Sequence, residues 1–501
     1  MATEVSQKDA LAQVQVGEAD EFAALLKQSF KPRTDRAASE VENAVSTLVT
    51  EALKDTSVIK TDVLDTIEEM IARLDQKLSA QVNEIIHAPE FQTIESAWRG
   101  LSYLVFNSET DANLKIRVLN VSKNELYRNL RLYPDARWDQ SPLFKQLYEY
   151  EFGQLGGQPY GALIGDYYFS HVPTDVQLLR DLSKIAGAAH APFLAAAGPT
   201  LMGMDAWTEL ANPRDLGKVF DTPEYAAWKG LRDLDDSRYV GLCLPRVLAR
   251  LPYGAKSEPV EEFAFEEDAD GRSGDKYGWM NAAYAMGVNI NRAFKEYGWT
   301  TRIRGVQSGG EVINLPTHTF PTDDGGVDLK CPTEIAISDR REHELAKSGL
   351  IPIIHRKNTD KAAFIGAQSL YKPKKYFGEK GVDATASDNL SARLPYMFAV
   401  SRFAHYLKCM VRDKIGSMKE KEELTVWLQT WINEYVDPNP AMSTEAMKAR
   451  RPLAAASVEV IPNEENPGYY NARFMLRPHF QLEAMDIGLS LVSRLPGPAT
   501  T

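Results

Sequence analysis

Between residues 114 and 244 the chain alternates between two hydrophobic periods, and this alternation limits its fold more than any other feature. Leu114, Ile116 and Val118 recur at every second position against Lys115 and Arg117, the pattern of a strand with one exposed face. A helix is expected from Lys123, a strand within GALIGDYYF at 161–169, a helix from Asp175 to His190, and strands at Phe193–Ala197 and Val240–Leu244. Such a series buries its apolar faces by layering helices on a sheet, so the fold class is α/β (α+β).

Helices flank this body. Residues 1–17 are polar, without a sustained period, and are expected to be flexible. Glu18–Phe30 reads as a short amphipathic helix carrying Phe22, Leu25, Leu26 and Phe30, stopped by Pro32. A second helical stretch covers Ala37–Leu53. A long helix begins at Thr61 or Asp62, with the stripe Val63, Leu64, Ile67, Met70, Ile71, Leu74, Leu78, Val82 and Ile85, and Pro89 ends it. Glu90–Asn107 carries Phe91, Ile94, Trp98, Leu101 and Leu104 at the same spacing. Core packing is the expected use of both stripes. Further on, a helix is expected over Trp279–Lys295, strands at Glu334–Ile337 and Ile351–His355, one long helix over Asp388–Lys414, and another at Leu424–Tyr435. These signals divide the chain into a flexible 1–17, N-terminal helices and linker at 18–60, a middle α/β region at 61–380 and a C-terminal region at 381–501.

Composition narrows the function. The 501 residues include 57 basic and 69 acidic ones, a net charge of −12, which disfavours broad electrostatic capture of nucleic acid. No apolar run is long enough to span a bilayer, and no secretory leader is visible at the start. Three separated cysteines, Cys243, Cys331 and Cys409, suit a reducing compartment and form neither a disulfide framework nor a zinc knuckle. The expectation is a cytoplasmic protein without cofactor or metal. Catalytic signatures are missing: there is no phosphate loop, no nucleophile elbow, and REHELAK places Lys347 where a zinc protease needs a second histidine. The Gly153–Gly161 run lacks dinucleotide spacing and reads as a turn. An enzyme with a site between Gly153 and Asp166 stays open as an alternative.

Two segments carry concentrated charge. Residues 257–275 hold eight acidic side chains and one arginine; like charges this dense resist compaction, so a solvated loop is expected. A soluble adaptor that meets a basic partner through this loop is the other alternative. The opposite pole is YKPKKYFGEK at 371–380, where Lys372, Lys374 and Lys375 are candidates for a contact with a partner. At the C-terminal end, Val458 and Val460 alternate with polar residues, NEENPG at 463–468 is turn chemistry, and Tyr470, Ala472, Phe474 and Leu476 share one face of a second strand. Ile487, Leu489 and Leu491 resume the period of two. A hairpin at a chain end leaves edge groups to be paired by something else.

Several long stretches, in order, resemble one family. PEFQTIESAWRGLSYLV at 89–105, FGQLGGQPYGALIGDYYF at 152–169, KIAGAAHAPFLAAAGPTLMG at 184–203, SRYVGLCLPRVLARLPYG at 237–254 and PHFQLEAMDIGLSLVSRLP at 478–496 are similar to the large sheath subunit of the bacterial type VI secretion system, the TssC/VipB/ImpC family. The resemblance runs from about residue 18 to 496. It implies a contractile phage-tail-sheath-like core with a helical N-terminal segment and C-terminal strands, and a structural, non-enzymatic role. It also implies partners: a small sheath subunit of the TssB/VipA type, further copies in a helical lattice, an Hcp inner tube, a baseplate and a ClpV-type AAA+ ATPase. The Val458–Leu476 strands are then inter-subunit elements, and Phe22, Leu25, Leu26 and Phe30 are the helix offered to the ATPase.

Overall fold

Six strands form the central sheet: β1 (Leu163–Phe169), β2 (Phe193–Ala197), β3 (Val240–Leu244), β4 (Glu311–Val312), β5 (Leu350–His355) and β6 (Ala362–Phe364), in the order β1-β2-β3-β5-β6-β4. They belong to a computed structural model that describes residues 63–211, 215–272, 274–378, 381–414, 421–462 and 470–481, with isolated positions between 34 and 47. Pairing is parallel from β1 to β5 and antiparallel from β5 through β6 to β4. The chain divides into two units, one of the residues up to Phe91 with Pro252–Asp270, the other of Gln92–Leu251 with Gly271 onward.

The helices are α1 (Val63–Ile86), α2 (Pro89–Phe106), α3 (Lys123–Arg131), α4 (Pro173–Ala189), α5 (Ala282–Tyr297), α6 (Gly381–Ser391), α7 (Leu394–Asp413) and α8 (Lys421–Asn433). A two-stranded hairpin follows, β7 (Leu453–Pro462) and β8 (Tyr470–Pro478).

The central strands are covered on both faces, which is why FLAAA and VGLCL read as unbroken apolar runs. Alternate residues serve different cores. Phe193, Ala195, Leu242 and Leu244 join Leu178, Leu182, Trp207 and Trp228. Leu194 and Cys243 join Ala283, Met286, Ile351, Phe364 and Phe398 on the other side. Small residues bring α5 close to the sheet: a Cβ on Gly287 would stand 2.4 Å from Ile164 Cδ1. The Asn281 side chain caps this helix by accepting from the Ala283 N–H, and Gly298 ends it at φ +78°, a conformation glycine adopts without a Cβ clash. For α3, Ser122 and Glu125 form a reciprocal capping box.

Several expectations need correction. Residues 114–118 have strand alternation but join no sheet among the described residues. Glu334–Ile337 is not a strand either; only Thr333 bridges, to Val247. Trp279–Met280 is a short strand paired with Val247–Leu248, and the helix begins after it. The single helix expected over 388–414 is two, α6 and α7. Arg393 takes extended angles and Pro395 occupies the first turn of α7, where its missing N–H is harmless but could not continue an earlier helix.

Within the first unit, the apolar stripe of α1 is not core. Met70 is buried, whereas Ile71, Leu74, Leu78 and Ile85 are exposed; the side chains of Val63, Leu64 and Ile67 lie outside the described residues. In the part of α2 that belongs to the second unit, Leu104 is buried but Ile94 and Trp98 are 61 % and 69 % exposed. The acidic 257–275 segment is also more ordered than its charge suggests. Asn83 donates to the Glu266 carbonyl at 3.2 Å and accepts from the Asp268 N–H at 2.9 Å, and Glu267 is buried with one oxygen accepting the Tyr253 N–H. Backbone groups bind helix α1 while most of the carboxylates remain in water, so repulsion is relieved without loosening the chain.

α7 links the second unit's cores. Leu394 and Phe398 pack under the sheet; Phe403 and Leu407 enter a third cluster with Trp299, Ile432, Leu453, Val458 and Val460. Trp299 stacks on Phe403 at 4.2 Å between centroids. Between the two lies His405, 2 % exposed, whose Nε2 donates to the Ala189 carbonyl at 2.8 Å while Nδ1 has no partner. Burial, with Arg402, His190 and Lys408 nearby, pulls its pKa down to about 4. The folded state therefore holds it neutral, and the unfolded chain binds its proton first. Stability from this group is complete above pH 6.5 and is lost as pH falls towards 4, by about 3 kcal/mol. Denaturant titrations from pH 7.5 to 4 are expected to show that slope, and His405→Phe is expected to flatten it.

Candidate assembly surfaces

The C-terminal hairpin is the first surface. β7 and β8 pair with Val458 opposite Phe474 and Val460 opposite Ala472. One face closes the third core, where Val458 and Val460 are buried and Phe474 and Leu476 are partly so. Ala472 is exposed, and the Tyr470 side chain lies outside the described residues. The edges differ. The Gln429 side chain accepts the Val458 N–H at 2.9 Å and donates to the Ala456 carbonyl at 3.3 Å, while the Leu453 backbone bonds Tyr435 and Asp437. The outer edge of β7 is thus partly closed by its own chain. Because Val458 turns its backbone groups away from β8, its partner Phe474 turns its own away from β7, and Ala472 and Leu476 follow by alternation. Among the described residues, these outward groups of β8 have no hydrogen-bond partner. β8 is an open sheet edge. Ile487, Leu489 and Leu491, and the whole of the 463–468 turn, lie outside the described residues.

The basic segment is the second surface. Lys372 and Lys375 are exposed, and Lys374 is partly committed, its Nζ 3.3 Å from Asp235. This bond raises the Lys374 pKa. The segment is anchored by Asp388 of α6, a buried carboxylate that pairs with Arg238 at 2.7 Å and accepts from the Tyr371 hydroxyl at 3.0 Å and the Lys374 N–H at 2.6 Å. The Arg238 guanidinium also lies over the Tyr371 ring at 4.3 Å. Neither Asp388 nor Gln429 was legible as functional, since neither sits in a motif or at a telling spacing.

The region of the enzymatic alternative is shaped by turns. A π-helix over Lys145–Phe152 runs into the glycine run, Gly156 has φ +81°, and a Cβ on Gly157 would lie 2.1 Å from the Glu151 carbonyl. Asp166 is partly buried and bonded to Asn281 at 3.3 Å and to Tyr284, and burial raises its pKa. Among the described residues no three His, Cys, Asp or Glu side chains are grouped to hold a metal ion, and no helix is long and apolar enough to cross a membrane. Phe22, Leu25, Leu26 and Phe30 lie outside the described residues.

Among the described residues, an open strand edge, a pinned basic segment and exposed apolar helix faces are surfaces suited to contact with other chains. Residues 68–371 match the tail sheath N-terminal domain of the EvpB/VC_A0108 family (VipB), and residues 383–495 match its tail sheath gpW/gp25-like domain. Over 487 residues the chain is 63 % identical to the type VI secretion system sheath protein TssC1 of Pseudomonas aeruginosa, covering 97 % of each. A chain in the cryo-EM structure of the anti-feeding prophage baseplate superposes on 76 % of this chain and 84 % of its own length, at 12 % identity and a TM-score of 0.36. The protein belongs to the TssC/VipB family of type VI secretion sheath proteins and is a structural subunit of a contractile sheath.

Proposed function

We propose that this subunit pairs with a small sheath subunit of the TssB/VipA type, that the pairs stack helically in the bacterial cytoplasm around an Hcp tube on a baseplate, and that contraction drives the tube outward without any catalytic step in this chain. The observation that carries the reading is the open β8 edge in a chain 63 % identical to a sheath protein. An edge that accepts a neighbour's strand keeps subunits joined by backbone bonds while their bodies rotate, and contacts between unlike surfaces extend into an open helix. A difference of about 1–3 kcal/mol per subunit between two lattices, the size of ordinary site coupling, becomes large when summed along a sheath. The exposed stripes of α1 and α2 are further surfaces for a partner to cover. A tagged copy of the chain co-expressed with the small subunit is expected to retain it through size exclusion; elution alone would contradict the pairing.

Lys372 and Lys375 are proposed to meet a subunit or the tube. Reversing Lys372, Lys374 and Lys375 to Glu is expected to impair assembly more than neutralising the acidic 257–275 segment, as scored by sedimentable sheath; the opposite ranking would reverse the assignment. The Glu18–Phe30 helix is proposed as the element read by a ClpV-type ATPase, with Phe22, Leu25, Leu26 and Phe30 as anchors. Leu25→Asp with Leu26→Asp is expected to leave assembly intact and abolish binding to the ATPase N-domain in a pull-down. Retained binding would remove the helix from that role.

A further inference from the structure

The edge strand β1 and the segment Lys115–Asn120 form two walls with no sheet pairing between them. Leu163 donates its N–H to the Pro192 carbonyl and Phe169 accepts from Gly198 on the β2 side, so alternation turns the backbone of Ile164 and Tyr168, which flank a register shift in β1, outward. Of these outward groups, only the Tyr168 carbonyl has a hydrogen-bond partner among the described residues, the Lys123 Nζ at 2.7 Å. On the other wall, the backbone of Lys115–Asn120 makes no hydrogen bond among the described residues.

The walls are held in place by side chains. The Tyr167 hydroxyl donates to the Val121 carbonyl at 2.7 Å, Lys115 bonds Gln158 at 2.8 Å, and Arg117 pairs with Glu151. Between them opens a cavity of about 890 Å³. Its floor is apolar, with Ile116 and Ile164 packed on Leu104, Tyr284 and Val288. A void of this size is far from the close packing of interiors, and orphaned backbone groups beside an apolar floor cost about 1–3 kcal/mol each when desolvated without partners.

We infer that this groove receives an extended strand from the small sheath subunit, inserted between β1 and Lys115–Asn120 with alternate apolar side chains turned to the Ile116–Ile164 floor. The inference rests on the reading of this chain as one half of a sheath heterodimer. Backbone donors and acceptors on both walls define the occupant as extended chain, since only a strand serves two edges at once. The seven residues of β1 offer an edge of roughly 23 Å at the usual strand rise. The rim identifies the source. Val118, Leu119 and Tyr150 line the cavity and are 67 %, 50 % and 60 % exposed, an apolar margin wider than one strand covers, as expected where a second folded protein seats around its inserted segment. The unpaired alternation at 114–118 follows directly: the segment is a strand whose neighbour comes from another chain.

The test places the photo-crosslinking residue p-benzoylphenylalanine at Val118 and, separately, at Leu119 of the full chain co-expressed with the small subunit, and identifies the attached peptide by mass spectrometry. One contiguous stretch of the small subunit is expected at both positions. Attachment only within this chain or to a second copy of it would overturn the inference, as would no attachment while the small subunit co-purifies and tubes form. If the small subunit neither co-purifies nor supports tubes, the heterodimer reading itself fails and the inference with it. Ile116→Pro, which removes a donor from one wall, is expected to lose co-purification; full retention by this soluble variant would contradict strand insertion.

Discussion

Phe474→Pro is expected to abolish sheath formation while the subunit still folds, whereas Phe474→Ala assembles. The distinction comes from the register. Phe474 stands opposite Val458, and the Val458 N–H is spent on Gln429, so this pair lies between ladder bonds. Proline at 474 therefore removes a donor from the open edge of β8 and leaves the hairpin ladder in place. Alanine keeps the donor and loses only the half-buried ring. Met475→Pro is the control: Met475 pairs with Ser457 inside the ladder, and its loss should open the hairpin itself. Circular dichroism and sedimentation of the three variants separate these outcomes. Assembly by Phe474→Pro at the wild-type level would mean that no neighbour pairs with this edge.

Asp388→Ala is expected to cost about 3 kcal/mol of stability and to free the basic segment. Its carboxylate pairs with Arg238 and accepts from Tyr371 and from the Lys374 backbone. Removing one member of a buried pair leaves the other charge and its donors unsatisfied, a cost of about 3–5 kcal/mol when burial is complete; Arg238 retains 25 % exposure, which places the effect at the low end. Thermal unfolding measures the loss. Limited tryptic cleavage after Lys374 and Lys375 is expected to accelerate in the variant. Unchanged protection of those sites would show that Asp388 does not hold the segment.

The central strands were legible because burial on both faces leaves a simple record: β2 and β3 lie where the apolar runs Phe193–Ala197 and Val240–Leu244 placed them, and β5 starts one residue earlier than expected. The period of α1 revealed an apolar face but not what covers it, so Ile71, Leu74, Leu78 and Ile85 read as core and stand exposed. Leu114, Ile116 and Val118 err in the same way, since alternation records a strand's faces and says nothing about who pairs with its edges. The Asp388 anchor was illegible for a different reason. Arg238 and Asp388 are 150 positions apart, and only the fold brings them together. The resemblance supplied the family; the open edge of β8 and its register came from the structure.

Electron microscopy of the full chain co-expressed with its small sheath subunit tests the central claim most directly. Striated helical tubes are predicted from wild type, with loss of tubes from Phe474→Pro. Monodisperse particles from a soluble, paired wild-type protein would contradict the assignment of this chain as a sheath subunit.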